Sequence, residues 1–170
     1  MLEHRGAPRG VRGGVLRGRM HARPRGAGAR ADAVRERARL DGCVLVDNPE
    51  WESGMGSSLR AGLGSLAGTG ARAALVSLVD QPGIGPRAVA RVLAAHQDDT
   101  SLVSATYDGV RGHPVLFGAA HWAGVAASAT GDRGARAYLK EHEAAITLVE
   151  CGDVAEPYDI DTEDDLGHLE

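Results

Sequence analysis

Ala73-Ala74-Leu75-Val76-Ser77-Leu78-Val79-Asp80 is the cleanest apolar run in the chain, and Gln81-Pro82-Gly83 ends it abruptly. The run has strand length rather than helix length and is bounded by turn formers, so it reads as a buried strand. Its neighbours agree with that reading. Downstream, residues 86–97 (PRAVARVLAAHQ) carry apolar residues at helical spacing behind a proline at the first helical position. Upstream, 56–67 (GSSLRAGLGSLA) is a glycine-opened helix with Ser57 or Ser58 placed to cap it, and 43–48 (CVLVDN) is a short strand stopped by Asn48-Pro49. Residues 31–40 end a helix. Residues 102–109 and 113–118 are two strands joined by a short polar turn, 132–143 is helical, and 145–151 is another strand. A last helix spans 162–170 with Thr162 as its N-cap. Strands alternating with helices give an α/β fold whose mostly parallel sheet is covered on both faces.

At 170 residues the chain is long enough for one domain with a sizeable core. Its 43% hydrophobic and 25% charged residues are those of a soluble globular protein. No apolar run reaches the roughly 18 residues that span a bilayer, and the basic N-terminus lacks the apolar stretch of a secretory signal. A cytoplasmic protein with no membrane partner is expected. Cys43 and Cys151 lie beside β-branched apolar runs and read as buried small hydrophobes rather than a disulfide.

The net charge of −4 hides an asymmetry. Residues 1–30 hold eight arginines and one acid, Glu3, which leaves 11 basic and 22 acidic residues in 31–170. Seven glycines, two prolines and no apolar period make 1–30 a disordered Arg/Gly-rich segment by composition, distinct from the domain at 31–170. Such a head raises the idea of a nucleic-acid-binding arm. It carries no interleaved aromatics to stack bases, so nucleic acid is not the expected partner.

In an open parallel sheet, ligands bind beyond the carboxyl ends of the strands. Asp80 sits at such an end, as either a Mg²⁺ ligand or a residue capping a turn. Asp159 and Asp161 alternate onto one face, where they share a cation or lie solvated in a loop. Gly54, Met55, Gly56, Ser57 and Ser58 place glycines and hydroxyls at a strand-to-helix junction, whose backbone N–H groups can receive an anion or the polar edge of a base. Gly112-His113-Pro114 is a polar head on an apolar strand, where a lone histidine is usually structural.

Taken in order, NPxWxxGMGSSLRAGL, LVSLVDQP, YDGVRGHPVLFG, GDRGAR and DIDTxxDL resemble the molybdenum cofactor cytidylyltransferases of the MobA-like NTP transferase group, from about Asp41 to Leu166. The resemblance implies a Rossmann-like, three-layer fold of the nucleotide-diphospho-sugar transferase kind. It also implies transfer of CMP from CTP to a molybdopterin-type molybdenum cofactor, with Mg²⁺ present and pyrophosphate released. Carried onto matching positions, Asp80 becomes the principal Mg²⁺ ligand, with Asp161 or Asp159 as second carboxylate. The Gly54–Ser58 loop approaches base and ribose, while Gly112, His113, Pro114 and Asp132 face the acceptor. The implied partners are those small molecules and a molybdoenzyme or its chaperone.

The family's opening LAAGxGxRxGxPK loop, and an apolar strand expected just before residue 31, have no counterpart in this sequence. The fold is therefore expected to lack its first strands, and the activity to be impaired. An out-of-frame origin for residues 1–30 would account for both. A catalytically dead remnant that binds an intact transferase or molybdoenzyme, and a related sugar or coenzyme nucleotidyltransferase, are the alternative readings.

Overall fold

The computed structural model describes residues 17–18 and 45–160. Its strands are β1 (Arg17–Gly18), β2 (Leu45–Val46), β3 (Ala73–Val76), β4 (Leu102–Tyr107), β5 (Val110–Gly118) and β6 (Thr147–Glu150). Its α-helices are α1 (Met55–Gly64), α2 (Pro86–Ala94), α3 (Trp122–Ser128) and α4 (Arg136–Glu141). No helix among the described residues is long and apolar enough to cross a membrane.

The main sheet has the order β3-β5-β4-β6. Strand β5 is antiparallel to both neighbours, whereas β4 and β6 are parallel. The sheet is therefore mixed, which corrects the expectation of a mostly parallel one. The cause is local. Only Asp108 and Gly109 join β4 to β5, both at positive φ (50° and 78°). A two-residue turn of that hand makes a hairpin, while a parallel pair needs a crossover of a dozen residues or more. Because β5 alone is reversed, β3, β4 and β6 still point their carboxyl ends to one edge.

All six residues of β4 are buried, and their alternation feeds two cores. On one face Val103, Ala105 and Leu116 pack with Ala88 and Val92 of α2 and with Cys151. On the other, Leu102, Val115 and Phe117 meet Leu63 of α1, Val125 of α3 and Tyr138 of α4. Cys151 is thus the buried small hydrophobe that was expected, and burial pushes its thiol pKa up. Arg91 of α2 binds both the Asp153 carboxylate and the Glu150 carbonyl, which ties α2 to the turn after β6.

Two further expectations change. The strand expected over 73–80 stops at Val76, because its partner β5 loses regular geometry beyond Val115. Within the segment expected to be disordered, Arg17–Gly18 pairs in parallel with Leu45–Val46, so a strand does precede β2. Backbone pairing asks nothing of side-chain pattern, which is why composition gave no sign of it. The helices expected over 31–40 and 162–170, Cys43 and Asp161 lie outside the described residues.

Phe117→Ala should cost about 3–5 kcal/mol, since it empties a fully packed position. Leu148→Ala, at a side chain 54% exposed, should change stability by no more than about 0.5 kcal/mol. Urea unfolding midpoints check the contrast. A second expectation concerns acid. The Glu150 carboxylate accepts the Gly152 N–H and the Thr106 hydroxyl, each at 2.8 Å, and these bonds hold its pKa below the ordinary value. A carboxyl depressed in the folded state stabilises above its unfolded pKa, and that contribution disappears as pH falls through the folded one. Glu150→Gln should therefore lose less stability than the parent between neutral pH and pH about 3. Identical acid limbs in urea titrations would exclude it.

Candidate active-site cleft

The cleft exists because β5 carries two residues that β4 does not match. Ser104 pairs with Val115 and the next residue, Ala105, pairs with Gly112, so His113 and Pro114 stand out of the ladder. Proline has no N–H to offer a neighbouring strand. The His113–Pro114 peptide is cis. Three hydrogen bonds hold this bulge. The Ser104 hydroxyl donates to the Gly112 carbonyl at 3.0 Å, and the Tyr107 hydroxyl donates to the His113 carbonyl at 2.6 Å. His113 Nδ1 lies 3.2 Å from the Val76 carbonyl, which makes that nitrogen the protonated one. Burial lowers the His113 pKa, against the opposing pull of the Val76 carbonyl and Asp80.

Beyond Val76, β3 and β5 part, and a cleft of about 880 Å³ opens between them. Ser77 to Gln81 and Asp159 contribute one set of lining residues, and Arg111, Gly112 and His113 contribute another. Leu59 and Leu66 of α1 supply apolar surface, over the buried Leu63, Val115 and Phe117. Arg133, Arg136 and Lys140, from α4 and the loop before it, add cations.

Asp80 shows the strongest sign of an absent ligand. Its Oδ1 is buried with no hydrogen-bond partner, and so is Oε1 of Gln81 beside it. Gln81 Nε2 donates to Asp159 Oδ1 at 2.8 Å, and the Ile160 N–H donates to the Asp80 carbonyl at 2.8 Å. The 159–160 segment is thus strapped onto Asp80-Gln81. A buried acceptor left unpaired costs about 1–3 kcal/mol, more if charged. A hard divalent cation satisfies two such oxygens, and Mg²⁺ typically takes one or two carboxylates and leaves its other positions to phosphate and water. The unpartnered Oδ1 of Asp80, with Oε1 of Gln81 beside it, fits that donor set.

The Gly54–Ser58 segment divides into two groups. Gly54 has φ 103°, and a Cβ there would lie 2.5 Å from the Gly131 carbonyl carbon. A Cβ on Gly56 would lie 2.8 Å from the Ala129 carbonyl carbon. These glycines let the first turn of α1 rest directly on the 129–132 backbone. Ser57 is buried, and its hydroxyl lies 2.8 Å from the Gly54 carbonyl while accepting from Asn48 Nδ2 at 2.7 Å. It does not cap α1, whose N-cap is Gly54 with no side-chain bond. Met55 and Ser58 reach the cleft.

Of the other residues singled out in the sequence, Gly112, His113, Asp80 and Asp159 line the cleft. Pro114 is buried without lining it, and Asp132 is exposed outside it. Arg111, Arg133, Arg136 and Lys140 were not foreseen. The signal was present in the four-residue spacing of Arg136 and Lys140, which puts both on one helix face. Tyr107→Phe tests the bulge: it removes the donor to the His113 carbonyl and should cost about 1–3 kcal/mol in unfolding titrations. The wild-type hydroxyl, its pKa pushed up to about 12 by burial, stays protonated throughout such an experiment.

The chain is similar to several known proteins. A relative from Paenarthrobacter nicotinovorans, a nicotine blue oxidoreductase, is 37% identical over 149 residues, taking in 84% of this chain and 72% of that one. The structure of the Mycobacterium tuberculosis Rv0371c homologue from Mycobacterium sp. strain JC1 matches with a TM-score of 0.67 at 29% identity, covering 83% of this chain and 69% of the other. Mycobacterium tuberculosis Rv0371c in complex with manganese matches with a TM-score of 0.60 at 26% identity, covering 83% and 73%. The family profile of the MobA-like NTP transferase domain matches residues 19–146, beginning inside the arginine-rich head. The chain belongs to the MobA-like nucleotidyltransferase family.

Proposed function

We propose that this chain transfers CMP from CTP to a molybdopterin-type molybdenum cofactor. The observation that carries the reading is the unpartnered, buried Oδ1 of Asp80 at the carboxyl end of β3, inside the cleft. The manganese complex of Rv0371c supports a divalent cation in a relative of this fold. In the reaction, a terminal phosphate oxygen of the acceptor forms a bond to the α-phosphorus of CTP. The bond from that phosphorus to the bridging oxygen breaks, and pyrophosphate leaves with the electron pair.

Asp80 would hold Mg²⁺, with Asp159 or Asp161 as second carboxylate; when bound, the ion neutralises charge on the phosphates. Gln81 fixes Asp159 through its amide and presents Oε1 beside Asp80. Met55 and Ser58, which line the cleft at the start of α1, would meet base and ribose, while Gly54, Gly56 and Ser57 set the position of that turn. Gly112 and His113 would face the acceptor. His113, with its lowered pKa, is neutral at pH 7 and does not compete with the metal for phosphate.

The 37% identity to a nicotine blue oxidoreductase favours a second reading, in which the same cleft holds a redox substrate. One pair of titrations separates them. Calorimetry should show CTP binding that requires Mg²⁺ or Mn²⁺ and is weakened at least about ten-fold, or 1.4 kcal/mol, by Asp80→Asn. CTP affinity indifferent to metal and to that substitution would overturn nucleotidyl transfer, and reduction of nicotine blue by the chain, with an added hydride donor oxidised in step, would then support the redox reading.

A further inference from the structure

Arg136, Leu139, Lys140 and Glu143 recur at helical spacing, and all four line the cleft together with Arg133. Glu143 is committed to Arg111, at 3.9 Å. Among the described residues, Arg133, Arg136 and Lys140 have no carboxylate within ion-pair distance, although the acids of 31–170 outnumber its bases two to one. An acidic domain that gathers along this cleft three cations unpaired among the described residues creates a local field opposite to its net charge, which attracts an anion. Beside them lies apolar surface: Leu139 of α4, with Leu59 and Leu66 of α1.

We infer that Arg133, Arg136 and Lys140 form an anion subsite within this cleft, and that the ligand it takes is an amphipathic anion. A planar or otherwise apolar body would lie against Leu59, Leu66 and Leu139, and an anionic group attached to it would meet the three cations. Two guanidinium groups suit a phosphate or carboxylate, because each offers paired N–H donors. The inference takes from the proposed function only that this cleft is the working site. It holds for a nucleotidyl acceptor and for a redox substrate alike.

The test uses two fluorescent probes that share a body and differ in charge, anilinonaphthalene sulfonate and neutral N-phenylnaphthylamine, titrated into the full chain. The sulfonate should bind at one site, more tightly than the neutral probe. The double variant R136E/K140E should weaken the sulfonate by roughly ten-fold or more and leave the neutral probe unchanged. Arg87→Glu, at an exposed position on α2 outside the cleft, should change neither. The charge-preserving R136K/K140R should keep most of the sulfonate affinity, which separates loss of charge from loss of fold. Equal affinity for the two probes in the parent chain would overturn the inference, as would equal weakening by R136E/K140E and Arg87→Glu. The Asp80→Asn chain should lose metal-dependent CTP binding yet still prefer the sulfonate to the neutral probe, so failure at the metal end and failure at the anion subsite are read separately.

Discussion

The hydrogen bond from Tyr107 to the His113 carbonyl is a small interaction on which the usable shape of this protein depends. It joins the last residue of β4 to the bulge of β5, and with the bond from Ser104 to Gly112 it fixes where that strand leaves the ladder. Were β5 regular, β3 would continue beside it through Asp80 and the sheet would close over the space where the cleft now opens. The sheet surrenders ladder bonds at His113 and Pro114 and recovers part of the cost through side-chain donors. Bulges commonly re-aim side chains beside active sites in this way.

The parts of the fold written in local chemistry could be read directly. The helix after Pro86, the turn at Asp108-Gly109 and the burial of Cys151 follow from propensity and patterning. The direction of pairing across that turn follows from its length, although the mostly parallel expectation passed over it. The premature end of β3 could not be read from its own residues, because Ser77, Leu78 and Val79 suit a strand as well as Ala74 and Leu75 do. What stops them is the partner strand thirty-odd residues later. Likewise Arg17–Gly18 joins a strand through backbone groups that any sequence carries.

For the site, Asp80 was recognisable because a carboxylate at the end of an apolar strand has few bland uses. The Gly54–Ser58 segment was recognisable as a junction, but its division was not. Whether a glycine contacts a ligand or another backbone depends on the segment seventy-odd residues away that packs against it. The cations of 133–140 were hidden for another reason. Charged residues on a helix usually belong to a solvated face, and only the fold shows that this face turns toward the cleft.

The contact of Gly54 and Gly56 with the 129–132 backbone has a mechanical consequence. With no side chain between them, the first turn of α1 and the segment leading into Arg133 touch main chain to main chain, and a Cβ at Gly134 would lie 3.1 Å from the Met55 sulfur. Such a junction has no soft layer that could shear. The Met55–Ser58 turn and the segment leading into Arg133 are therefore mounted on one stiff frame, which fixes the spacing between them. On the proposed function, that frame would act as a ruler for the distance from a ligand's ring to its charge.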